Sequence, residues 1–170
     1  MAPNDSREAA LVANIKASVG REAIYHAPEP IGRASIRQYA LAIGDANPLY
    51  KDMQAAREAG LRDVMAPPTF ICDSWQYIDS DIDERGELLG RGMLREFGGL
   101  RAGNDYEFFQ PVHPDDILTV RWKVKDVYEK AGRAGRMVFQ ELEVTYTNQR
   151  GEMLARSVEI MFHRVPESAK

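Results

Sequence analysis

The 170-residue sequence has one cysteine, no long apolar run and no marked excess of charge of either sign. The single Cys72 excludes an intramolecular disulfide and any zinc site built from several cysteines. The longest apolar runs have five residues, far fewer than the roughly 20 that a membrane helix needs. The 22 basic and 26 acidic residues are interspersed, unlike the basic surface of a nucleic-acid binder. The polar amino terminus lacks a secretory signal, so we expect a cytoplasmic protein with neither a membrane nor a nucleic-acid partner.

The apolar content, 44% of the residues, is sufficient for one ordinary domain. A chain of this length buries about two-thirds of its unfolded surface and needs no disulfide or structural metal to form a core. We predict an amino-terminal helix or extension over residues 1–17, a main domain over 18–165 and a tail over 166–170.

The first sixty residues are mainly helical, with helices predicted over about 5–18, 35–43 and 52–59. The second of these helices is the most clearly marked. Ser35 is suited to its N-cap, and Gly44 stands where a helix ends. Because Leu41 and Ala42 extend its apolar surface around the helix, the pattern predicts burial on most sides.

Four strands are predicted over about 104–110, 117–128, 136–148 and 152–164, and residues 22–26 form a short extended piece. Val120, Trp122 and Val124 alternate with Thr119 and Arg121, which is typical of an antiparallel sheet with one buried face. Several strands exceed the usual five or six residues and so favour a curved sheet. A sheet that covers one apolar helix indicates an α+β domain with the helix wrapped by the sheet.

The segment Gly44-Asp45-Ala46-Asn47-Pro48-Leu49-Tyr50, here called the motif loop, directly follows the second helix. Pro48 forces Asn47 into an extended conformation, so the loop is stiff and presents Asp45, Asn47 and Tyr50 from the end of a buried element. A partly desolvated carboxylate there can act as a general base, because burial raises the pKa of a carboxyl group. The alternative is that Asp45 and Asn47 only hydrogen-bond to backbone in a helix-exit turn.

The motif loop resembles the hydratase signature of the MaoC-like (R)-specific enoyl-thioester hydratases and dehydratases. The segments at 66–70 and 109–116 also match, and the resemblance extends over about 18–165. It implies a single hot-dog fold, in which a long central helix is wrapped by a curved antiparallel sheet. It also implies trans-2-enoyl-thioester hydratase or 3-hydroxyacyl-thioester dehydratase activity in fatty acid metabolism. No metal or cofactor is implied, and the substrate is a thioester of coenzyme A or of an acyl carrier protein.

The sequence departs from this family at Tyr50, where active members have the histidine that activates water together with the aspartate. A phenol with a pKa near 10 is a poor replacement for an imidazole at neutral pH. His26, His113 and His163 lie outside the motif. The catalytic pair implied by the resemblance is therefore Asp45 with Tyr50, and it is incomplete. Asp115 is a second departure, since family members commonly have glycine there.

This form of the motif resembles that of one branch of the family. In that branch a hot-dog domain that lacks the histidine pairs with a catalytic hot-dog domain. The resemblance implies that this chain shapes the acyl-chain groove within a dimer or tetramer, with an identical or a different partner. The residues that it implies for substrate binding are Asn47, Pro68, Phe70 and Trp75. Apolar residues between 65 and 93 could form such a groove, or they could be ordinary core residues.

Two other functions remain open from the sequence. The chain could be a non-enzymatic module that binds acyl thioesters without a catalytic partner. It could also be an acyl-coenzyme A thioesterase, since hot-dog thioesterases use a carboxylate near the central helix.

Overall fold

The computed structural model describes residues 3–73, 84, 99–132 and 135–164. The predicted tail at 166–170 and the predicted site residue Trp75 therefore lie outside the described residues. The helices are α1 (Pro3–Ala17), α2 (Arg33–Ala42), α3 (Met53–Glu58) and α4 (Phe70–Asp73), with a 3₁₀ turn at Pro48–Tyr50. The strands are β1 (Glu22–His26), β2 (Leu100–Phe108), β3 (Thr119–Gly132), β4 (Gly135–Thr147) and β5 (Met153–Arg164).

The strands form one antiparallel sheet in the order β1-β3-β4-β5-β2, which confirms the predicted sheet. β1 and β2 are its edge strands. The β3–β4 register shifts between Val124 and Asp126, and the β2–β5 register shifts between Arg101 and Gly103. Irregularities of this kind increase the local twist of a sheet.

One face of the sheet carries the core. The predicted alternation is confirmed in β3, where Val120, Trp122 and Val124 are fully buried. Ile36 and Ala40 of α2 belong to the same apolar cluster, so α2 packs on this face. Burial of this apolar surface is the main favourable contribution to folding, at about 25 cal/mol per Å².

The amino-terminal helix α1 packs on another part of the sheet. Val12 and Ile15 form a small apolar cluster with Val138 of β4. The Lys16 ammonium lies 2.6 Å from a carboxylate oxygen of Glu129 in β3. Arg136 and Lys16 hydrogen-bond to that carboxylate and lower the pKa of Glu129 to about 2. α1 is thus held to the sheet by both apolar contacts and an ion pair.

The structure corrects two details of α2. Its N-cap is Gly32, three residues before the predicted Ser35. The predicted burial on most sides is wrong for the single chain, because Leu41 is 71% exposed and Ile43 is 51% exposed. Successive helical residues are about 100° apart, so a helix of this length that packs through Ile36 and Ala40 turns Leu41 away from the core. An apolar surface is left open at the carboxyl end of α2.

Asp115 adopts a positive φ of 79°, the conformation that favours glycine. Its carboxylate lies 2.7 Å from Nη1 of Arg62, and its backbone N–H donates to the Ile31 carbonyl at 3.0 Å. Position 115 therefore has the left-handed backbone conformation at which glycine is favoured, as the family resemblance implies.

We expect the free energy of unfolding of Asp115→Gly to lie within about 1 kcal/mol of that of the parent chain, because relief of the positive φ offsets the loss of an exposed ion pair. Asp115→Ala loses the same ion pair and keeps an unfavourable backbone conformation. It should be less stable than Asp115→Gly by about 1–2 kcal/mol. Urea unfolding of both variants measures the difference, and equal stabilities would contradict the argument from backbone strain.

Candidate functional site

The motif loop is a turn held by its own polar side chains. Gly44 leaves α2 with a φ of 71°, and the N–H of Asp45 donates to the Ala40 carbonyl at 2.9 Å. Asp45 Oδ1 accepts from the N–H of Asn47 at 3.0 Å. Asn47 Oδ1 accepts from the N–H of Leu49 at 3.1 Å and caps the 3₁₀ turn. Asp45 and Asn47 thus make the backbone hydrogen bonds of a helix-exit turn.

The loop brings Asp45, Asn47 and Tyr50 together, but in very different environments. Tyr50 is buried within the main apolar cluster at 6% exposure. Burial, and then the nearby Asp45 carboxylate, raise the pKa of the Tyr50 phenol above its ordinary value, while a hydrogen bond with Asn47 acts in the opposite direction. Tyr50 therefore stays protonated at neutral pH and cannot take the place of a basic imidazole.

The expected partial burial of Asp45 is not found in the single chain, where this residue is exposed. The reason is its position directly after α2, whose carboxyl end is itself open to solvent at Leu41 and Ile43. Desolvation of the Asp45 carboxylate would require another surface to cover this end of the helix.

The motif loop is connected to residues 64–66, here called the wall segment. The N–H of Met65 donates to the Leu49 carbonyl at 3.0 Å. On the other side, the N–H of Ala66 donates to the Val112 carbonyl at 2.8 Å. The wall segment therefore lies between the motif loop and the chain that follows β2.

A pocket of about 230 Å³, here called the small pocket, opens beside the wall segment. It is lined by Met65, Ala66 and Pro68 and by residues 108–112. Phe108 and Phe109 at its margin are 44% and 45% exposed. Pockets for small molecules usually enclose about 300–1,000 Å³, so the single chain provides a small and mainly apolar part of such a site.

The predicted substrate-binding residues are divided between this pocket and the core. Pro68 lines the small pocket. Phe70 is buried at 1% exposure, with its ring edge-to-face against Tyr39 at a centroid distance of 5.4 Å. Phe70 thus packs in the core beside α2 rather than on the pocket lining. Trp75 lies outside the described residues, as stated above.

A buried carboxylate that was not predicted from the sequence, that of Asp116, lies beside Arg62 and Arg150. The side chain of Asp116 is 1% exposed. Its Oδ1 accepts from Nη2 of Arg150 at 2.6 Å, Nη2 of Arg62 at 3.2 Å and Nδ2 of Asn148 at 3.3 Å. Its Oδ2 accepts from the backbone N–H of His113 at 2.8 Å. This Asp116 cluster joins the β4–β5 turn to the end of the 109–116 segment.

A second pocket, here called the polar pocket, has a volume of about 530 Å³ and adjoins the cluster. Its lining residues are Gly60, Leu61, Arg62, Gln110, Pro111, His113, Arg150 and Glu152. Arg62 and Arg150 are already paired with Asp115, Asp116 and Glu152, so two cations face three carboxylates. This balance does not favour an anionic ligand.

The three histidines have contacts away from the motif loop. His26 Nδ1 lies 3.0 Å from the Thr119 hydroxyl, and His113 Nδ1 lies 2.9 Å from the Val64 carbonyl oxygen. His163 packs against Gly99, where a Cβ would approach the imidazole to 2.7 Å. These contacts do not place an imidazole beside Asp45.

Among residues 3–73, 84, 99–132 and 135–164, no three histidine, cysteine, aspartate or glutamate side chains form a group able to hold a metal ion. No helix in the described part of the chain combines the length and the hydropathy needed to cross a membrane.

Comparison of the sequence with known families gives a match to the FAS1-like dehydratase domain region over residues 17–157. A UPF0336 protein of Thermobifida fusca (strain YX) is 33% identical over 144 residues, which cover 82% of this chain and 88% of that protein. A probable enoyl-CoA hydratase alpha subunit of Thermomonospora curvata is 28% identical over 137 residues, covering 75% of this chain and 43% of that protein.

Solved structures share the fold. The ChsH1-ChsH2 complex from Mycobacterium tuberculosis contains a chain that matches with a TM-score of 0.75 and 22% identity, over 97% of this chain and 95% of that one. The C-terminally truncated HadBC (3R-hydroxyacyl-ACP dehydratase) complex of the same organism matches with a TM-score of 0.63 and 22% identity, over 84% and 96% of the two chains. These similarities confirm the predicted hot-dog fold.

Proposed function

The chain belongs to the FAS1-like dehydratase region family, and on that premise we propose that it is a subunit of a 3-hydroxyacyl-thioester dehydratase or trans-2-enoyl-thioester hydratase. In this role it forms part of the acyl-chain groove beside a hot-dog partner that carries the catalytic histidine. The substrate is an acyl thioester of coenzyme A or of a carrier protein, and no cofactor takes part. The protonated, buried Tyr50 in the place of the motif histidine is the observation that carries this proposal.

The shape of the single chain supports an incomplete site. The small pocket encloses only about 230 Å³, and two of its lining residues, Phe108 and Phe109, are exposed phenylalanines. The motif loop lies one hydrogen bond away, through the Leu49 carbonyl and the N–H of Met65. A partner that covers this region would enclose and enlarge the pocket.

Two surfaces are suited to such a partner. The carboxyl end of α2 exposes Leu41 and Ile43 next to the motif loop. β2 is an edge strand, and Leu100 and Phe108 at its two ends are 66% and 44% exposed. Open strand edges pair readily with other strands. Two of the structurally similar proteins are complexes of two named subunits, ChsH1 with ChsH2 and HadBC.

The composition of the native complex tests this proposal. We expect the chain to co-purify in equal amounts with a hot-dog subunit that carries the complete Gly-Asp-x-Asn-Pro-x-His motif, when the two are co-expressed. Leu41→Lys should abolish this association because it places a charge within an apolar contact. Gln38→Lys adds the same charge at another exposed position of α2 and serves as the matched control. Native mass spectrometry measures the stoichiometry.

Two results would contradict the proposal. The first is a stable homo-oligomer that hydrates crotonyl-coenzyme A without any partner. The second is binding of acyl-coenzyme A with no catalytic partner found, which would favour the non-enzymatic module. Release of free coenzyme A from acyl substrates would instead identify a thioesterase.

A further inference from the structure

His113 lies between the two pockets and is 6% exposed. It follows directly after the 108–112 residues that line the small pocket, and it also lines the polar pocket. Its backbone N–H is fixed by Asp116 Oδ2 at 2.8 Å. The main chain of His113 is therefore anchored to a buried ion-pair cluster.

The side chain of His113 makes a bond of defined direction. Its Nδ1 lies 2.9 Å from the carbonyl oxygen of Val64, a residue that is 3% exposed. A carbonyl oxygen only accepts hydrogen bonds, so Nδ1 carries the proton and donates it. Because a buried carbonyl without a hydrogen-bond donor destabilises the fold, the folded state favours keeping this bond.

The wall segment has no regular strand pairing along 64–66. Its position depends on bonds from both sides. Val64 and Ala66 are bound by His113 and Val112, and Met65 is bound by Leu49 of the motif loop. Met65 and Ala66 at the same time line the small pocket. A shift of the wall segment would change both the pocket lining and the support of the motif loop.

We propose that His113 is a positioning residue. Its Nδ1–H bond to the Val64 carbonyl holds the wall segment in place and so fixes the position of the motif loop relative to the small pocket. The inference rests on the proposed function in one respect, that the small pocket receives the acyl chain. A misplacement of about 1 Å in such a site can reduce catalysis by about 100-fold. His113 itself does not replace the missing motif histidine.

Three variants separate this role from simple packing. In His113→Asn the amide nitrogen stands two bonds from Cβ, as Nδ1 does, so a donor to Val64 is retained. In His113→Gln the amide lies one bond further out and reproduces the Nε2 position instead. His113→Phe keeps a ring of similar shape and removes both nitrogens. Asn is thus the conservative variant and Gln its matched control of equal polarity.

Amide hydrogen exchange of Met65, measured on the full chain, reports the bond between the wall segment and the motif loop. We expect exchange at Met65 to rise at least about tenfold in the Gln and Phe variants and to stay near the parent rate in the Asn variant. Amides of β3 and β4 serve as internal controls. Equal exchange in the Asn and Gln variants would overturn the positioning role, as would an unchanged rate in all three.

Binding of crotonyl-coenzyme A to the complex with the catalytic partner adds the functional readout. The Asn variant should bind within about threefold of the parent complex, and the Gln variant at least about tenfold more weakly, in line with misplacement of a binding wall. Failure of the parent complex to bind crotonyl-coenzyme A would contradict the proposed function. The exchange experiment would still decide the role of His113 in that case.

Discussion

The isolated chain is expected to hydrate crotonyl-coenzyme A at least about 1,000-fold more slowly than its complex with a hot-dog subunit that carries the Asp/His pair, since a positioned acid–base group contributes about 10²–10⁴ in rate. The physical reason is the state of Tyr50. Its pKa is raised by burial and by Asp45, so the phenol cannot accept a proton at neutral pH. The exposed Asp45 carboxylate has no imidazole beside it in the single chain.

Loss of the ultraviolet absorbance of the conjugated enoyl thioester, as its double bond is hydrated, measures this rate. Asp45→Asn in this chain is the control, and it should change the rate of the complex by less than about threefold, because in the proposed complex the general base lies in the partner. The isolated chain turning over at the rate of the complex, with loss of that activity in Asp45→Asn, would show instead that Asp45 is itself catalytic.

Asp116→Ala is expected to lower the free energy of unfolding by about 2–4 kcal/mol, because it removes a buried, multiply hydrogen-bonded carboxylate while the two guanidinium groups that it leaves are 43% and 41% exposed. The variant leaves Arg62 and Arg150 without the carboxylate that their guanidinium groups share. It also removes the acceptor of the His113 N–H and one of the two acceptors of the Asn148 amide. The β4–β5 turn would then lose its attachment to the segment that lines both pockets.

Glu107→Ala provides the comparison for Asp116→Ala. Glu107 pairs with Arg156 at 3.0 Å on the surface, where the two side chains are 54% and 46% exposed. We expect this variant to lower the free energy of unfolding by less than about 1 kcal/mol, because exposed ion pairs contribute little to stability. Denaturant unfolding of both variants at neutral pH measures the two losses of stability. Similar losses for the two would show that Asp116 is no more important to the fold than a surface charge.

The sheet could be predicted from the sequence because its signal is local. Val120, Trp122 and Val124 alternate with polar residues, and this period of two fixes which face of β3 is buried. The cap of α3 was equally local, since Asp52 accepts from the N–H groups of Gln54 and Ala55 as its position predicts. Both signals depend on neighbours along the chain and on nothing more distant.

The exposure of α2 could not be predicted in this way. Leu41 and Ile43 are apolar like the buried Ile36, and composition does not distinguish a side chain buried by its own chain from one left open to a partner. The same ambiguity affects Asp45, whose environment depends on what covers the end of α2. Whether these side chains are covered in an oligomer depends also on the surface of the partner, which the sequence of one chain does not describe.

The buried Asp116 cluster was missed for a different reason. Asp116 and Asn148 are 32 positions apart in the chain and meet only when the β4–β5 turn folds back. Asn148 and Arg150 appear in the sequence as ordinary turn residues, which gives no sign of a buried partner. The Pro-Val-His-Pro-Asp-Asp segment was the available signal, and it indicated a match in sequence without indicating burial.

Among the strands of the described residues, none pairs with the outer edge of β2, and this has a consequence for overproduction of the protein in a cell. A chain produced in excess of its companion would present backbone N–H and C=O groups at that edge, with Leu100 and Phe108 exposed at its two ends. Such edges accept strands from other chains and promote aggregation. If the proposed partner covers this edge, balanced synthesis of the two chains would protect solubility as well as activity, and a chain without its partner would become a substrate for chaperones and proteases.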